Sequence, residues 1–402
     1  MDFEILICGS DVNAYYMARC THEAYGKKAY MLIKDKLAFT TYSKIINHIY
    51  DSNIWNEEGF VNAINLFCNL HSDKKIVAIS SNETYADFLV KNRSKFPDNL
   101  YFNYPDQTIL ENLINKEKFY KNYSNMGLEF PKTIYYSDKN EKLDVTGFMF
   151  PIIVKPANVV LYNHISFPGK KKIYKLDTEE ELLTVVNSIM NSDYNDTIII
   201  QEYIPGDDSH LFDSVVYCDK LSRVKLVSFA QIGLQEHNPN MIGNAAVLIN
   251  GYDTFNIDKN DIVENIKLFM ERINYSGFAE FDLKFDERDK KFKVLEINAR
   301  QGRCSYYVAQ AGYNLVNIMV DDLINDISLD YNFVDKKVML SFVNKKIIKK
   351  YVENKEFRSE ALKMYKQSVN PLFYRKDLSI HRLLLMIKRS ENYKKSYRNY
   401  KW

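Results

Sequence analysis

Apolar residues near the start of the chain come in short runs. Glu4–Cys8, Ala29–Ile33 and Lys75–Ser80 each read as a buried strand bounded by turn or helix signals. Helical spacing fills the gaps: Val12–Tyr25, closed by Gly26, and about Glu83–Lys95. Strands alternating with helices predict a parallel sheet, so residues 1–110 are expected to form a Rossmann-like domain and the fold class is α/β. The first turn, Gly9-Ser10-Asp11-Val12-Asn13, is not GxGxxG and gives no support for a dinucleotide site. Asp11 and Asn13 there either contact a ligand at the carboxyl end of the sheet or serve the following helix as caps.

From about Glu111 the pattern changes. A helix over Glu111–Met126 ends at Gly127, and a strand over Pro151–Lys155 follows. Asp177 is placed to cap a helix over Glu179–Met190. Thr197–Ile204 reads as a strand, Ser214–Ile232 as a hairpin turning near Asp219, Asp261–Ile273 as a helix and Phe278–Asn298 as a second hairpin. Residues 111–335 are therefore expected to form a second, mixed domain, followed by an extension over 336–402.

The second hairpin carries the strongest chemistry. Glu280, Asp282 and Lys284 alternate onto one face of its first strand. A three-residue loop with Glu287 opposite Lys291 puts Asp282 across from Glu296, whereas a slip of one residue sends Glu296 to the other face. In the first register Asp282, Glu296 and Asn298 bring two carboxylates and an amide oxygen together, a hard donor set that suits Mg²⁺; the alternative is an exposed, solvated sheet face. Arg300 and Arg303 follow at once, and fixed guanidinium forks bind phosphate or carboxylate oxygens.

Two further segments are ambiguous alone. Lys155 ends the β-branched strand Ile152–Val154 and is followed by Pro156, which makes it either a rigid charge for a phosphate or a surface lysine. Ile198–Glu202 runs into Ile204-Pro205-Gly206 with Asp207 and Asp208 behind it, where backbone groups could meet an adenine edge and a carboxylate the ribose hydroxyls.

Taken in order, Lys-x-x-x-Phe, strand-Lys-Pro, Gln-Glu-x-x-x-Gly-x-Asp, Asp and Glu-x-Asn-x-Arg resemble the ATP-grasp superfamily over roughly residues 111–320. The resemblance implies a two-lobed domain binding ATP and Mg²⁺, with Mn²⁺ as a substitute. It implies phosphate contacts for Lys116, Lys155 and Lys172, an adenine hinge at Gln201, Glu202 and Ile204, a ribose contact for Asp208, metal ligands Asp282, Glu296 and Asn298, and an anion-steadying Arg300. The flap of the family departs here, with one glycine between Asn158 and Gly169, so that Lys170, Lys171 and Lys172 all compete for the phosphate role. Gly9–Arg19, Asn163–Lys172, Asp193–Thr197, Gly206–Ser209 and Ile297–Arg303 are similar in style to the D-aspartate ligase branch. That branch joins the β-carboxylate of D-aspartate to a lysine side chain of a peptidoglycan precursor, through an acyl phosphate. The resemblance thus implies an amino-acid donor, an amine acceptor that is nucleotide- or lipid-linked, Arg303 at a substrate carboxylate, and Arg300, Arg303 and Lys172 as the catalytic set. A different amide or dipeptide product, a phosphotransferase on the same ATP site, or a nucleotide-binding module without chemistry are the competing readings. His237 is either a loop residue facing the site or a structural histidine.

Composition narrows the setting. At 402 residues and 46% hydrophobic, the chain can bury a large core without staples. Cys8, Cys20, Cys68, Cys218 and Cys304 form no CxxC pair and are expected to be free buried thiols, with no nucleophilic role for Cys304. No signal peptide or membrane-spanning run is seen, so a cytoplasmic enzyme is expected. From Tyr331 to Trp402, nineteen Lys/Arg stand against six Asp/Glu, which leaves the rest of the chain acidic within a net charge of +2. The segment Leu378–Trp402 is read as a helix that either packs on the core with a frayed end or is drawn to an anionic membrane at the inner face. No motif supports nucleic acid as a partner.

Overall fold

The computed structural model describes residues 2–138, 141–238 and 241–400, without the side chains of Val159, Val160 and Asn163. The Asn163 side chain of the expected flap, Pro239 of the His237 loop, and Lys401 and Trp402 of the tail thus lie outside the described residues.

Five strands open the fold: β1 (Phe3–Cys8), β2 (Ala29–Ile33), β3 (Ile46–Tyr50), β4 (Lys75–Ser80) and β5 (Leu100–Tyr101). All pair in parallel, in the order β3-β2-β1-β4-β5. Helices cover them, which is why the strands read as unbroken apolar runs. β1 and β4 pair residue for residue from Phe3–Lys75 to Cys8–Ser80, so the turns after them leave the sheet side by side. Gly9 takes φ +115° there, and a Cβ on it would lie 2.0 Å from Ser81 Oγ. Asp11 caps the helix Val12–Tyr25, accepting from Ala14 N at 3.0 Å.

A four-stranded antiparallel sheet follows, ordered β6-β9-β7-β8, from β6 (Thr133–Tyr136), β7 (Ile152–Pro156), β8 (Tyr174–Leu176) and β9 (Ile198–Glu202). Leu182, Val186 and Ile189 of the helix Glu179–Met190 close its core. The third sheet has eight strands: β10 (Leu211–Cys218), β11 (Val224–Ser228), β12 (Ala230–Gln235), β13 (Ala245–Asn250), β14 (Gly277–Asp286), β15 (Lys291–Asn298), β16 (Asn332–Val334) and β17 (Val338–Ser341). They run β15-β14-β10-β12-β13-β17, with β11 on β10 and β16 beyond it.

Four local expectations are corrected. The helix expected over Glu111–Met126 is two, Gln107–Ile114 and Lys116–Tyr123. Asn115 between them is extended, and its side chain accepts from Lys118 N at 3.0 Å, so one residue ends a helix and caps the next. The cap of Glu179–Met190 is Thr178, not Asp177: Thr178 Oγ1 accepts from Glu181 N while Glu181 reaches back to Asp177 N. The return strand expected to run to Ile232 is broken at Phe229, so that β11 pairs with one end of β10 and β12 with the other. In the hairpin β14–β15 the loop has four residues, because Asp286, not Glu287, pairs with Lys291.

The C-terminal segment is woven into the body. β17 is the edge of the eight-stranded sheet, and Tyr393 and Tyr397 of the helix Ile380–Asn399 are buried. The helix runs on to Asn399 with no frayed turn among the described residues.

Candidate active site

A cavity of about 290 Å³ lies between the ends of β7 and β9 on one side and β10, β14 and β15 on the other. Every residue the sequence assigned to the site lines it, with one exception, Asp208. Asp208 sits a layer behind, its carboxylate accepting from Gln235 N at 2.7 Å and Gln235 Nε2 at 2.6 Å.

The floor is the β14–β15 hairpin. Its pairing runs from Asp286–Lys291 to Leu283–Val294, then shifts so that Asp282 faces Glu296 and Glu280 faces Asn298. A bulge at Leu295 makes the shift. Strict alternation from Lys293 would carry Leu295 to the Asp282 face and Glu296 away from it; the extra residue returns Glu296 to the cavity. Asn298 Nδ2 donates to Glu280 Oε2 at 3.2 Å and to Asp282 Oδ2 at 3.4 Å. On the neighbouring strand Asp213 pairs with Asp282. Burial, with the Glu280 and Glu296 charges, pushes the Asp282 carboxyl well above its usual range. Burial and Asp213 do the same to Glu280, and burial with Asp282 lifts Asp213 to about 6. Glu296 goes the other way. Burial opposes its charge, but Lys116 at 2.6 Å and Lys172 bring it down to about 2.

The opposite wall is cationic. Lys155 is buried and donates to Tyr120 Oη and Gln201 Oε1, both at 3.0 Å. Burial lowers it to about 8. Tyr120 in turn donates to the carbonyl of Leu295, which ties the lysine strand to the bulge. Gln201 is steadied by Thr133 Oγ1 at 2.8 Å. Glu202 is held by Lys132 N at 2.8 Å and Arg288 Nη2 at 3.1 Å, and Ile204 is buried beside them. Of the three flap lysines, Lys172 lines the cavity while Lys170 donates to Ile165 O at 2.6 Å.

The third side is the run after β15, positioned by the first sheet. Gln301 Nε2 donates to Ser80 O at 2.8 Å, Asn13 Nδ2 to Ser81 O at 3.0 Å and Gln301 O at 3.4 Å, and Tyr16 Oη to Gly302 O at 2.6 Å. Asp11 and Asn13 are thus a cap and a clamp, and neither lines the cavity. Arg300 pairs with Glu83 Oε1 at 2.7 Å, from a helix of the first domain, and burial is overcome by Glu83 and Glu280 in keeping it charged. Arg303 pairs with Glu236 through Nη2, which also donates to Tyr393 Oη at 2.9 Å; its Nε and Nη1 have no partner among the described residues. His237 lies against Tyr397, ring centroids 4.3 Å apart and tilted by 41°, and bonds Tyr400 O at 3.1 Å, a structural histidine against the tail. All five cysteines are free and buried, and burial pushes the Cys304 thiol up, away from a thiolate.

Sequence reasoning missed Asp213, Glu83, Tyr120 and Gln235. Asp213 could have been found as an acid inside the apolar strand Leu211–Cys218; the others carry no local signal, since partners far along the chain bring them in. Glu280 and Lys284 were seen to share the Asp282 face and were given no role.

An antiparallel sheet and a larger sheet, antiparallel but for its β11–β16 pair, close on one cavity of lysines and carboxylates behind a parallel sheet, which is the ATP-grasp fold. Over an alignment of 423 positions that covers 99% of this chain and 97% of the relative, the chain is 34% identical to the D-aspartate ligase of Enterococcus faecium (strain Aus0004). It belongs to the D-aspartate ligase family and is an ATP-dependent ligase that forms amides. The fold is shared with an L-amino acid ligase from Bacillus licheniformis (TM-score 0.59, 17% identity, 80% of this chain and 74% of that one). It is shared too with N5-carboxyaminoimidazole synthetase from Staphylococcus aureus complexed with ADP (TM-score 0.63, 16% identity, 90% and 87%). No family model matches the chain. Among the described residues no helix is long and apolar enough to cross a membrane.

Proposed function

We propose that the protein activates the β-carboxylate of D-aspartate with Mg²⁺–ATP and joins it to an amine of a peptidoglycan precursor in the cytoplasm. One observation carries the reading: Asp282 and Glu296 stand side by side, paired across β14 and β15, on the floor of a cavity whose other walls are Lys155, Lys172, Arg300 and Arg303.

The donor set fits the cation. Among the described residues no three His, Cys, Asp or Glu side chains surround one point. Two carboxylates and an amide leave the rest of the shell to water and phosphate oxygens, which is how Mg²⁺ is usually held. The elevated Asp282 carboxyl marks a place short of positive charge. The lowered Lys155 ammonium marks the converse, a buried cation short of an anion, and phosphate supplies one. Mn²⁺ would be accepted by the same oxygens.

When bound, Mg²⁺–ATP supplies the phosphoryl group and the charge that neutralises it. Asp282, Glu296 and Asn298 would hold the cation, and Lys155 and Lys172 the phosphate oxygens. Gln201, Glu202 and Ile204 would border the adenine, and Lys116, freed from Glu296, would turn to phosphate. Arg300, at the cavity wall, would steady the negative charge gathered by the leaving phosphate and the tetrahedral oxyanion. The unpartnered Nε and Nη1 of Arg303 suit the remaining carboxylate of the donor. Enclosure between the two sheets keeps water from the acyl phosphate. Residues 1–110 would then position the arginine run, 111–335 hold nucleotide and metal, and 336–402 brace Arg303.

The test is phosphate release across a panel of D- and L-amino acids with cell-wall precursors, with mass detection of the product. Release that needs D-aspartate and an amine-bearing precursor is the expected result. Turnover with another amino acid and none with aspartate would remove the donor assignment and leave the ligase.

A further inference from the structure

The helix Ile380–Asn399 is packed inside out. Its inward face is polar and aromatic: Arg382 is only 4% exposed, its guanidinium over the Tyr15 ring at 4.3 Å and donating to Phe39 O and Thr41 O. Further along the same face lie Tyr393, bonded to Glu236, and Tyr397, which donates to Gln235 O at 2.6 Å. The outward face carries the aliphatics. Ile380, Leu383, Leu384 and Ile387 are 77%, 47%, 59% and 53% exposed, at the spacing that forms one stripe on a helix. Exposed Tyr42 extends the stripe, stacked on His381 at 4.7 Å. Arg382 on the buried side and leucine on the wet side reverse what burial in water favours.

The same outward face continues in charge. After Ile387 it presents Glu391, Lys394, Lys395 and Arg398, and the acid is paired with Lys394. Arg375 and Lys376 stand exposed before the helix, and Lys388 beside the stripe. An apolar stripe followed and flanked by cations is the composition of a helix that lies in the plane of an anionic bilayer, aliphatics among the acyl chains and lysines at the headgroups. A self-pairing face would have to bring these cations against their own copies.

We propose that Tyr42, Ile380, Leu383, Leu384 and Ile387, with Lys388, Lys395 and Arg398, form a docking face for an anionic membrane surface. The inward side of the docked helix bonds Arg303 and Gln235, so the cavity is carried at a fixed offset from the lipid. Binding is reversible, because four aliphatic side chains on one helix anchor far less firmly than a spanning segment.

The experiment is co-sedimentation of the full chain with vesicles of phosphatidylglycerol–phosphatidylcholine and of phosphatidylcholine alone. The comparison is with Leu384→Glu/Ile387→Glu and Lys395→Glu/Arg398→Glu, all at surface positions. Light scattering gives the oligomeric state, and a thermal melt with soluble-substrate turnover shows that each variant is folded. The expected result is at least tenfold more protein on the anionic vesicles, loss of most of it in both variants, and release at high salt. No sedimentation of the wild type, equal binding to both vesicles, or undiminished binding of the Leu384/Ile387 variant each overturns the proposal. So does a wild-type dimer that this variant dissociates, which would make the stripe a contact between copies.

Discussion

Lys116 and Glu296 form an ion pair of 2.6 Å, joining the helix that begins at Lys116 to the β14–β15 floor of the cavity. Lys116 is the first residue of a helix created by the break at Asn115, and Glu296 follows the bulge at Leu295. The Lys116 ammonium thus sits where a divalent cation would balance Glu296.

Lys116→Met should therefore have opposite effects on the two ligands. Mg²⁺ alone should bind roughly twofold to fivefold more tightly, since a partly screened pair contributes about 0.5–1 kcal/mol and the Glu296 side chain keeps 41% of its surface open. Nucleotide should bind about tenfold more weakly through loss of a charged phosphate contact. Calorimetric titrations with Mg²⁺ and with Mg²⁺–ATP separate the two. Weakening of both would show Lys116 to be merely structural.

Asp282→Asn should lower turnover by roughly 10²–10³-fold, the usual effect of removing one preorganised charge contact at a reacting centre. Stability should move the other way. The folded carboxyl titrates above its unfolded value, so its favourable contribution is present at low pH and lost as pH rises through the folded pKa. At pH 7–8 without divalent ion the amide should thus melt higher than the carboxylate. A lower melting temperature would mean that Asp282 holds the hairpin together.

Lys155 sets a pH dependence for nucleotide binding. With its ammonium lowered to about 8, it is charged at neutral pH and largely neutral one to two units higher. A bound polyanion favours the charged form. Nucleotide affinity should fall as pH rises from 7 to 10, with proton uptake on binding near pH 8–9, visible as a buffer-dependent heat. For the free protein this group acts in reverse. The unfolded chain, near 10.5, binds the proton more tightly, so stability from Lys155 rises between about 8 and 10.5.

Gly302→Ala tests the packing behind Arg300. A Cβ there would lie 1.5 Å from Glu280 Oε1, and Glu280 is 7% exposed and fixed by Asn298. Overpacking of this kind costs about 1–3 kcal/mol. Urea unfolding should show that loss, and kcat/KM should fall because the Glu280 carboxylate is displaced from Asn298 and disturbs Asp282 beside it. An unchanged midpoint would show that Glu280 has another place to go.

The apolar runs and their punctuation made most elements legible: β1, β2, β4 and the helix Val12–Tyr25 fall within a residue of their expected ends. The facing of Asp282 and Glu296 was legible too, by a different route. A three-residue loop and a four-residue loop with one bulge give the same pair, and bulges have no signature in strand propensity. Asn115 shows the opposite difficulty: its neighbours are helix formers, and a capping bond to Lys118 N overrides the periodicity. Asp208 followed a Pro-Gly turn as the family pattern requires, yet Gln235, on a strand far along the chain, draws its carboxylate away. The tail read as a helix with a basic excess. Which side of it faces water was not readable, because Arg382 is buried by the Tyr15 ring and the carbonyls of Phe39 and Thr41, far back in the chain.

Asn13, Tyr16, Ser80 and Glu83 grip the run from Arg300 to Gly302. The amino-terminal domain is therefore half of a lock whose other half is encoded between two and three hundred residues later. A chimera that borrows one half from a distant cousin should fold and yet stay silent, and regain activity only when both sides of the seam come from the same parent.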